Sequence, residues 1–233
     1  MNILVYTHSD VSWVWPFWIK QTQKYFPDHK KIVFVNSDYE GDVFEKAGYT
    51  SVTYDDSQKY TDRMTSCLGQ LDPEDVVIFH HEDMFLYDDP DYDRLAKYES
   101  LVSEDQADLI KLLRNGNTLI PHLPKIGLYK NPPEYGFAIQ PTILKVKTLM
   151  RIYRGTPGDT IWEFETNAQR LVSQWGLVNL FIADAAPQRG MHHWDSNIYP
   201  YVATAVVKGQ WNFMEYPKEL EQIGVSNEQS SLI

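Results

Sequence analysis

One cysteine in 233 residues, Cys67, leaves no internal disulfide to staple the chain and rules out the CxxC patterns of structural zinc. It fits a reducing compartment, and the expected location is cytoplasmic. Cations are scarce too. The 21 Lys and Arg face 32 Asp and Glu, a net charge of −11. An acidic chain does not hold a duplex by neutralising phosphates, so no nucleic-acid partner is expected. A nucleotide can still bind where a divalent cation inverts the local field. None of the 12 glycines falls in a GxGxxG or GxxxxGK[ST] pattern, which excludes a Rossmann dinucleotide site and a P-loop. No window is apolar enough to span a bilayer, and Met1-Asn2-Ile3 runs straight into a strand. Neither a transmembrane segment nor a signal peptide is expected.

What is there in quantity is aromatic: 7 Trp, 15 Tyr and 10 Phe. Rings in such numbers supply a core first, and stacking surfaces for sugars or bases second. The periodicity alternates. Asn2–Tyr6 reads as a strand, 12–26 as a helix with Pro16 in its first turn and Pro27 as its stop, Lys31–Val35 as a strand, Thr61–Leu71 as a helix. Val76 to Phe79 is the next strand. Such alternation predicts an α/β domain with a mainly parallel sheet and helices on both faces. The second half is less regular. Asp91–Arg114 reads as one helix or two in succession, and 119–129 as one or two short strands interrupted by Pro121 and Pro124. A strand over 137–144 leads into a helix to Tyr153, a second helix runs from Thr160 to about Trp175, and strands follow near 177–183 and 201–207. With no repeat, linker or clear boundary, residues 1–217 are expected as a single domain and 218–233 as a loosely held polar tail.

The stretch Asp75-Val76-Val77-Ile78-Phe79-His80-His81-Glu82-Asp83-Met84 carries the chemistry. Its apolar run ends abruptly in two imidazoles and two carboxylates. The carboxyl end of a buried strand is where an open α/β sheet keeps its ligand crevice. Hard cations take oxygen ligands, commonly one or two carboxylates with phosphates completing the shell, so Glu82 and Asp83 suit Mg²⁺ or Mn²⁺; they also suit a solvated turn. A zinc site from His80, His81, His192 and His193 is disfavoured, because adjacent strand residues point to opposite faces.

Thr61-Asp62-Arg63 at a helix start, the strand ending in Glu82-Asp83-Met84-Phe85-Leu86, Phe137-Ala138-Ile139-Gln140-Pro141 before a helix, and Gly155 through Ile161-Trp162-Glu163-Phe164-Glu165 together resemble the nucleotide-sugar glycosyltransferases of GT-A fold. They are similar to small transferases of bacterial polysaccharide clusters and of large algal DNA viruses, in which case the site of action would be host cytoplasm. The likeness spans about 2–211, and the acidic motif departs from it, being His-Glu-Asp in place of Asp-X-Asp.

The resemblance implies a GT-A-like single domain, with about 1–90 as the nucleotide-binding half and about 91–217 as the acceptor side. It implies transfer of a sugar from a nucleoside diphosphate donor, UDP-linked by expectation, to a glycan or glycoprotein hydroxyl with Mn²⁺ or Mg²⁺. Thr7, His8 and Ser9 would line the nucleoside pocket, Asp38 would accept from base or ribose, and Arg63 would face the diphosphate. Asp83 is the first metal ligand, with Glu82 beside it, and His193 or His192 a late addition. Gln140, Trp162 and His192 fall on the sugar or acceptor side. Inverting transfer needs a base for the acceptor hydroxyl. Glu163 and Glu165 are the candidates, about 200° apart on a helix so that only one faces the site readily, and Glu163, next to Trp162 at the helix start, is the expected base. Glu163 also suits the helix N-terminus by charge alone. A nucleotidyltransferase shares the sheet and the metal logic, and a non-enzymatic carbohydrate-binding module would use the aromatics.

Overall fold

The computed structural model describes residues 1–132, 134–189 and 193–226. The first half reads β1 (Asn2–Tyr6), a 3-10 turn (Ser9–Val14), α1 (Trp15–Tyr25), β2 (Lys31–Asn36), α2 (Val43–Lys46), β3 (Thr50–Tyr54), α3 (Tyr60–Leu68) and β4 (Val76–His81). The second half reads α4 (Tyr92–Ser103), β5 (Leu109–Lys111), β6 (Ile120–Leu123), β7 (Leu128–Lys130), β8 (Thr142–Lys145), α5 (Val146–Gly155), α6 (Ile161–Leu171) and β9 (Asn179–Ile182). Two small hairpins, β10 (Gln188–Arg189) with β11 (His193–Trp194) and β12 (Val206–Val207) with β13 (Gln210–Trp211), precede α7 (Pro217–Ile223).

Nine strands form one sheet in the order β3-β2-β1-β4-β8-β5-β9-β7-β6. The strands β3, β2, β1 and β4 are mutually parallel. Beyond them β8 and β7 alone run against the rest, so β5, β9 and β6 keep the common direction and the sheet is mainly parallel. Alternation along each strand builds two cores. Ile3, Val5, Val33, Val35 and Ile78 pack under α1, α4 and α7. Leu4, Tyr6, Phe34, Val77 and Phe79 pack under α3, α5 and α6. The same alternation separates the paired histidines of β4: His80 lies against Trp18 of α1, and His81 against Tyr60 of α3.

The expected helix over 12–26 divides at Pro16, with a 3-10 turn ahead of α1, and Pro27 ends it as expected. The expectation of one or two helices over 91–114 is half right. Residues 92–103 are helical, but Leu109-Ile110-Lys111 is a strand buried between β8 and β9. Three residues between Asp108 and Leu112 show no usable period, and pairing on both edges decides the conformation. Gly127, at φ 77, closes the turn between β6 and β7 in the left-handed region that favours glycine.

The expected polar tail is also corrected. Leu220, Ile223 and Val225 are buried in the core beneath α7, and Lys20 of α1 bonds the Ile223 carbonyl at 3.4 Å. Amphipathic spacing of three apolar residues outweighs the polar composition around them. Residues 227–233 lie outside those described. Leu220→Ala is expected to lower unfolding free energy by about 2–5 kcal/mol in urea titration; a change within about 0.5 kcal/mol would restore the loose tail.

Candidate functional site

The sheet reverses its winding between β1 and β4, the place where open α/β sheets hold ligands. Tyr6 and His81 are paired partners in that ladder, so Thr7 and Glu82 leave it side by side. Thr7 is buried, its hydroxyl accepts from the Trp15 indole at 2.7 Å, and it reaches the Glu82 carboxylate. Glu82 and Asp83 follow in a turn held from behind. The amide of Ala205 donates to the Asp83 carbonyl at 3.1 Å, and that of Val202 to the Phe85 carbonyl at 2.9 Å. The Val206 backbone also reaches the Asp83 carboxylate.

Both carboxyls are held well above the usual range, chiefly because the surrounding chain strips them of water, and Glu82 further because Asp83 is beside it. Neither makes an ion pair with Lys, Arg or His among the described residues. The folded state therefore keeps protons that the unfolded chain gives up. The pair's contribution to stability falls as pH rises from the ordinary carboxylate range through the raised values.

Around this pair the other strand ends add polar groups. Asn36, ending β2, accepts from the Ser9 amide at 2.8 Å and donates to the Ser9 hydroxyl at 2.9 Å. Beyond β3, Asp56 gathers His8 at 2.9 Å and Arg63 at 2.7 Å. Arg63 lies over the Tyr54 ring and also bonds the backbone of Asp56 and Gln58. Tyr60 joins His81 at 3.2 Å and Tyr153 at 2.9 Å. Burial, with His80 next to it, pushes His81 down to about 3, so its imidazole is neutral.

The structure brings Thr7, His8, Ser9 and Arg63 to one rim of the sheet, while Asp38 stands exposed in the loop after β2. Across the rim, Gln140 meets His193 Nδ1 at 3.4 Å, and Thr204 meets its Nε2 at 3.4 Å. No group of three or more His, Cys, Asp or Glu among the described residues is arranged to hold a metal, so His193 is not joined to Glu82 and Asp83 as expected. It belongs instead to a cavity of about 420 Å³ with Thr204, Trp211, Asn212 and Glu215. His192 lies outside the described residues.

The two glutamates of α6 part company. Glu163 is exposed and completes a capping box, its carboxylate accepting from the Thr160 amide at 3.2 Å and the Asp159 amide at 3.0 Å. Gly158 makes the approach possible, since a Cβ there would sit 2.5 Å from the Phe164 backbone. Glu165 points inward, accepts from the Ile139 amide at 2.8 Å, and faces Lys111. Trp162 is 78% exposed, so it is a surface ring and no core plug.

Asp56, Tyr60 and Lys111 escaped the sequence reading. Asp55-Asp56 directly after Val52-Thr53-Tyr54 obeys the same strand-end rule as Glu82-Asp83 and was legible by it. Lys111 was hidden by the missed strand. It is buried, which pushes it down to about 8, and it donates to Asn115 at 3.3 Å. From there Asn115, Asn131 and Asn179 continue in a head-to-tail chain at 2.6 and 2.5 Å.

No family model and no curated protein matches the chain. Among solved structures, S. aureus TarS 1–349 in complex with UDP is similar at a TM-score of 0.51 and 11% identity, over 96% of this chain and 64% of that one. The fold is GT-A-like. This chain thus spans a little under two thirds of the TarS chain's length, and at that identity the likeness speaks for the fold alone. A 4-diphosphocytidyl-2C-methyl-D-erythritol synthase is similar at 0.47 and 13% identity, over 79% of this chain and 90% of that one. Nothing in these comparisons supports the expected likeness to algal-virus transferases.

Glu163→Ala is expected to destabilise the protein by about 0.5–2 kcal/mol, the value of an N-terminal cap, measured by denaturant unfolding. No loss of stability would show that its carboxylate has another task.

Proposed function

We propose that the chain is a metal-assisted glycosyltransferase that moves a sugar from a nucleoside diphosphate donor to a saccharide hydroxyl. The observation that carries this reading is the desolvated, unpaired Glu82–Asp83 carboxylate pair at the sheet's switch point. Two such groups lack the positive charge that would let both ionise, and Mg²⁺ or Mn²⁺ supplies it while offering its remaining positions to phosphate and water. Asp83 is the firmer ligand, with Glu82 beside it. When bound, the cation neutralises charge that builds on the leaving diphosphate.

The residues of the chain do the rest. Thr7, His8 and Ser9 form the nucleoside wall. Asp56 clamps His8 and holds the Arg63 guanidinium toward the same rim, where its planar fork suits phosphate oxygens or ribose. The cavity of His193, Thr204, Trp211 and Glu215 takes the acceptor, with Gln140 fixing the imidazole. The capping role of Glu163 leaves Glu165, with Lys111 beside it, as the better-placed of the two glutamates to deal with the acceptor proton. UDP is the first nucleotide to test, because TarS was crystallised with it.

Calorimetry with UDP, with and without Mn²⁺, tests the reading. Wild type is expected to bind UDP at least about tenfold more tightly with Mn²⁺, and Asp83→Asn to lose that gain, a difference of about 1.4 kcal/mol or more. Metal-independent binding, or none, contradicts the proposal. Release of pyrophosphate in place of nucleoside diphosphate on turnover would make the chain a nucleotidyltransferase.

A further inference from the structure

The layer of α3, α5 and α6 holds a second feature, away from the rim just described. The C-terminal turn of α3 and the length of α5 enclose an open groove of about 680 Å³. Its floor is apolar, from Leu68, Leu71, Val146 and Met150. Its outer wall is cationic. Lys147, Arg151 and Arg154 stand exposed at i, i+4 and i+7 of α5, so they form one stripe, and α5 contains no acidic residue.

In a chain of net charge −11 such a stripe runs against the whole. Glu74 answers Lys147 at 2.9 Å, but neither arginine makes an ion pair among the described residues. Arg151 instead lies over the Trp175 ring at 5.3 Å. The exposed ring of Trp162 belongs to the same layer, on α6.

An apolar trough beside two unpaired arginine forks fits a ligand with two parts, a phosphate and a hydrocarbon chain. Planar guanidinium groups take phosphate oxygens bidentately, and the trough takes methylenes. Tryptophan and arginine are also the side chains that settle at the boundary between headgroups and acyl chains. We propose that this groove docks the chain on a lipid bilayer carrying anionic phosphate headgroups, with the outer face of α5 against the membrane. No insertion is involved, since no helix among the described residues is long and apolar enough to cross a bilayer.

Co-sedimentation of the full chain with vesicles tests this. One set is phosphatidylcholine alone, and the other contains phosphatidylglycerol. The chain is expected to pellet with the second set only, and less so as salt is raised. The double substitution Arg151→Glu with Arg154→Glu should reduce partitioning at least about tenfold, given roughly 1 kcal/mol for each basic residue at an anionic surface. Met150→Asn should weaken it with the charges intact, and an unchanged thermal melt confirms that each variant is folded. Equal pelleting with both vesicle sets, or none, overturns the proposal. So does binding abolished by soluble glycerol phosphate, which would mean a free-phosphate site. A dimer in solution that the double substitution dissociates would assign the groove to a second copy of the chain. None of these outcomes depends on sugar transfer.

Discussion

Two carboxylates that leave the same strand end and are partly stripped of water together resist ionising together unless a positive charge is near. Glu82 and Asp83 are in this position, and no Lys or Arg among the described residues forms an ion pair with them. They are nevertheless held firmly. Thr7 braces the first from β1, and the 202–206 segment braces the second through its backbone amides. A fold that packs a second chain segment behind an unfavourable pair holds that pair in place, which is what the proposed cation site requires. The neutral His81 and the ring cluster of Tyr6, Tyr60 and Tyr153 keep the surroundings dry on one side.

The sheet makes this placement possible. Strand β4 has parallel β1 on one side and antiparallel β8 on the other, so the exit of β4 faces the entry to β8. Polar groups on the ends of β1, β2 and β3 therefore share the rim with Gln140, just ahead of β8. Alternation fills both faces with rings and branched chains, and on the α6 side it buries Lys111, with Glu165 near enough to act on its charge. The asparagine chain from Lys111 to Asn179 ties β5, the end of β7 and the start of β9 together.

Much of this was legible in the sequence. An apolar run ending in His-His-Glu-Asp announced both the central strand and the carboxylate pair at its exit, because hydrophobic period and strand-end placement are local properties. The alternation of 2–81 gave the parallel half, and Thr160 with Glu163 carried the signature of a helix start. What escaped depends on distance in the chain. Whether Glu163 serves its own helix or the site is decided by where Gly158 lets the chain turn. That His193 would join Gln140, and that Leu109–Lys111 would be a strand, follow from pairings with segments 30 to 70 residues away. The packing of α7 was obscured by composition, since three apolar residues among polar ones suffice to anchor a short helix.

On the proposed reading, Glu82 and Asp83 share a retained proton until a cation binds. Mn²⁺ binding must then expel it. Calorimetric titration of Mn²⁺ with UDP at neutral pH, in buffers of different ionisation enthalpy, measures that proton directly. Release of up to about one proton per chain is expected, lost when Glu82→Gln and Asp83→Asn are combined. An enthalpy independent of buffer in a wild-type chain that binds would contradict it.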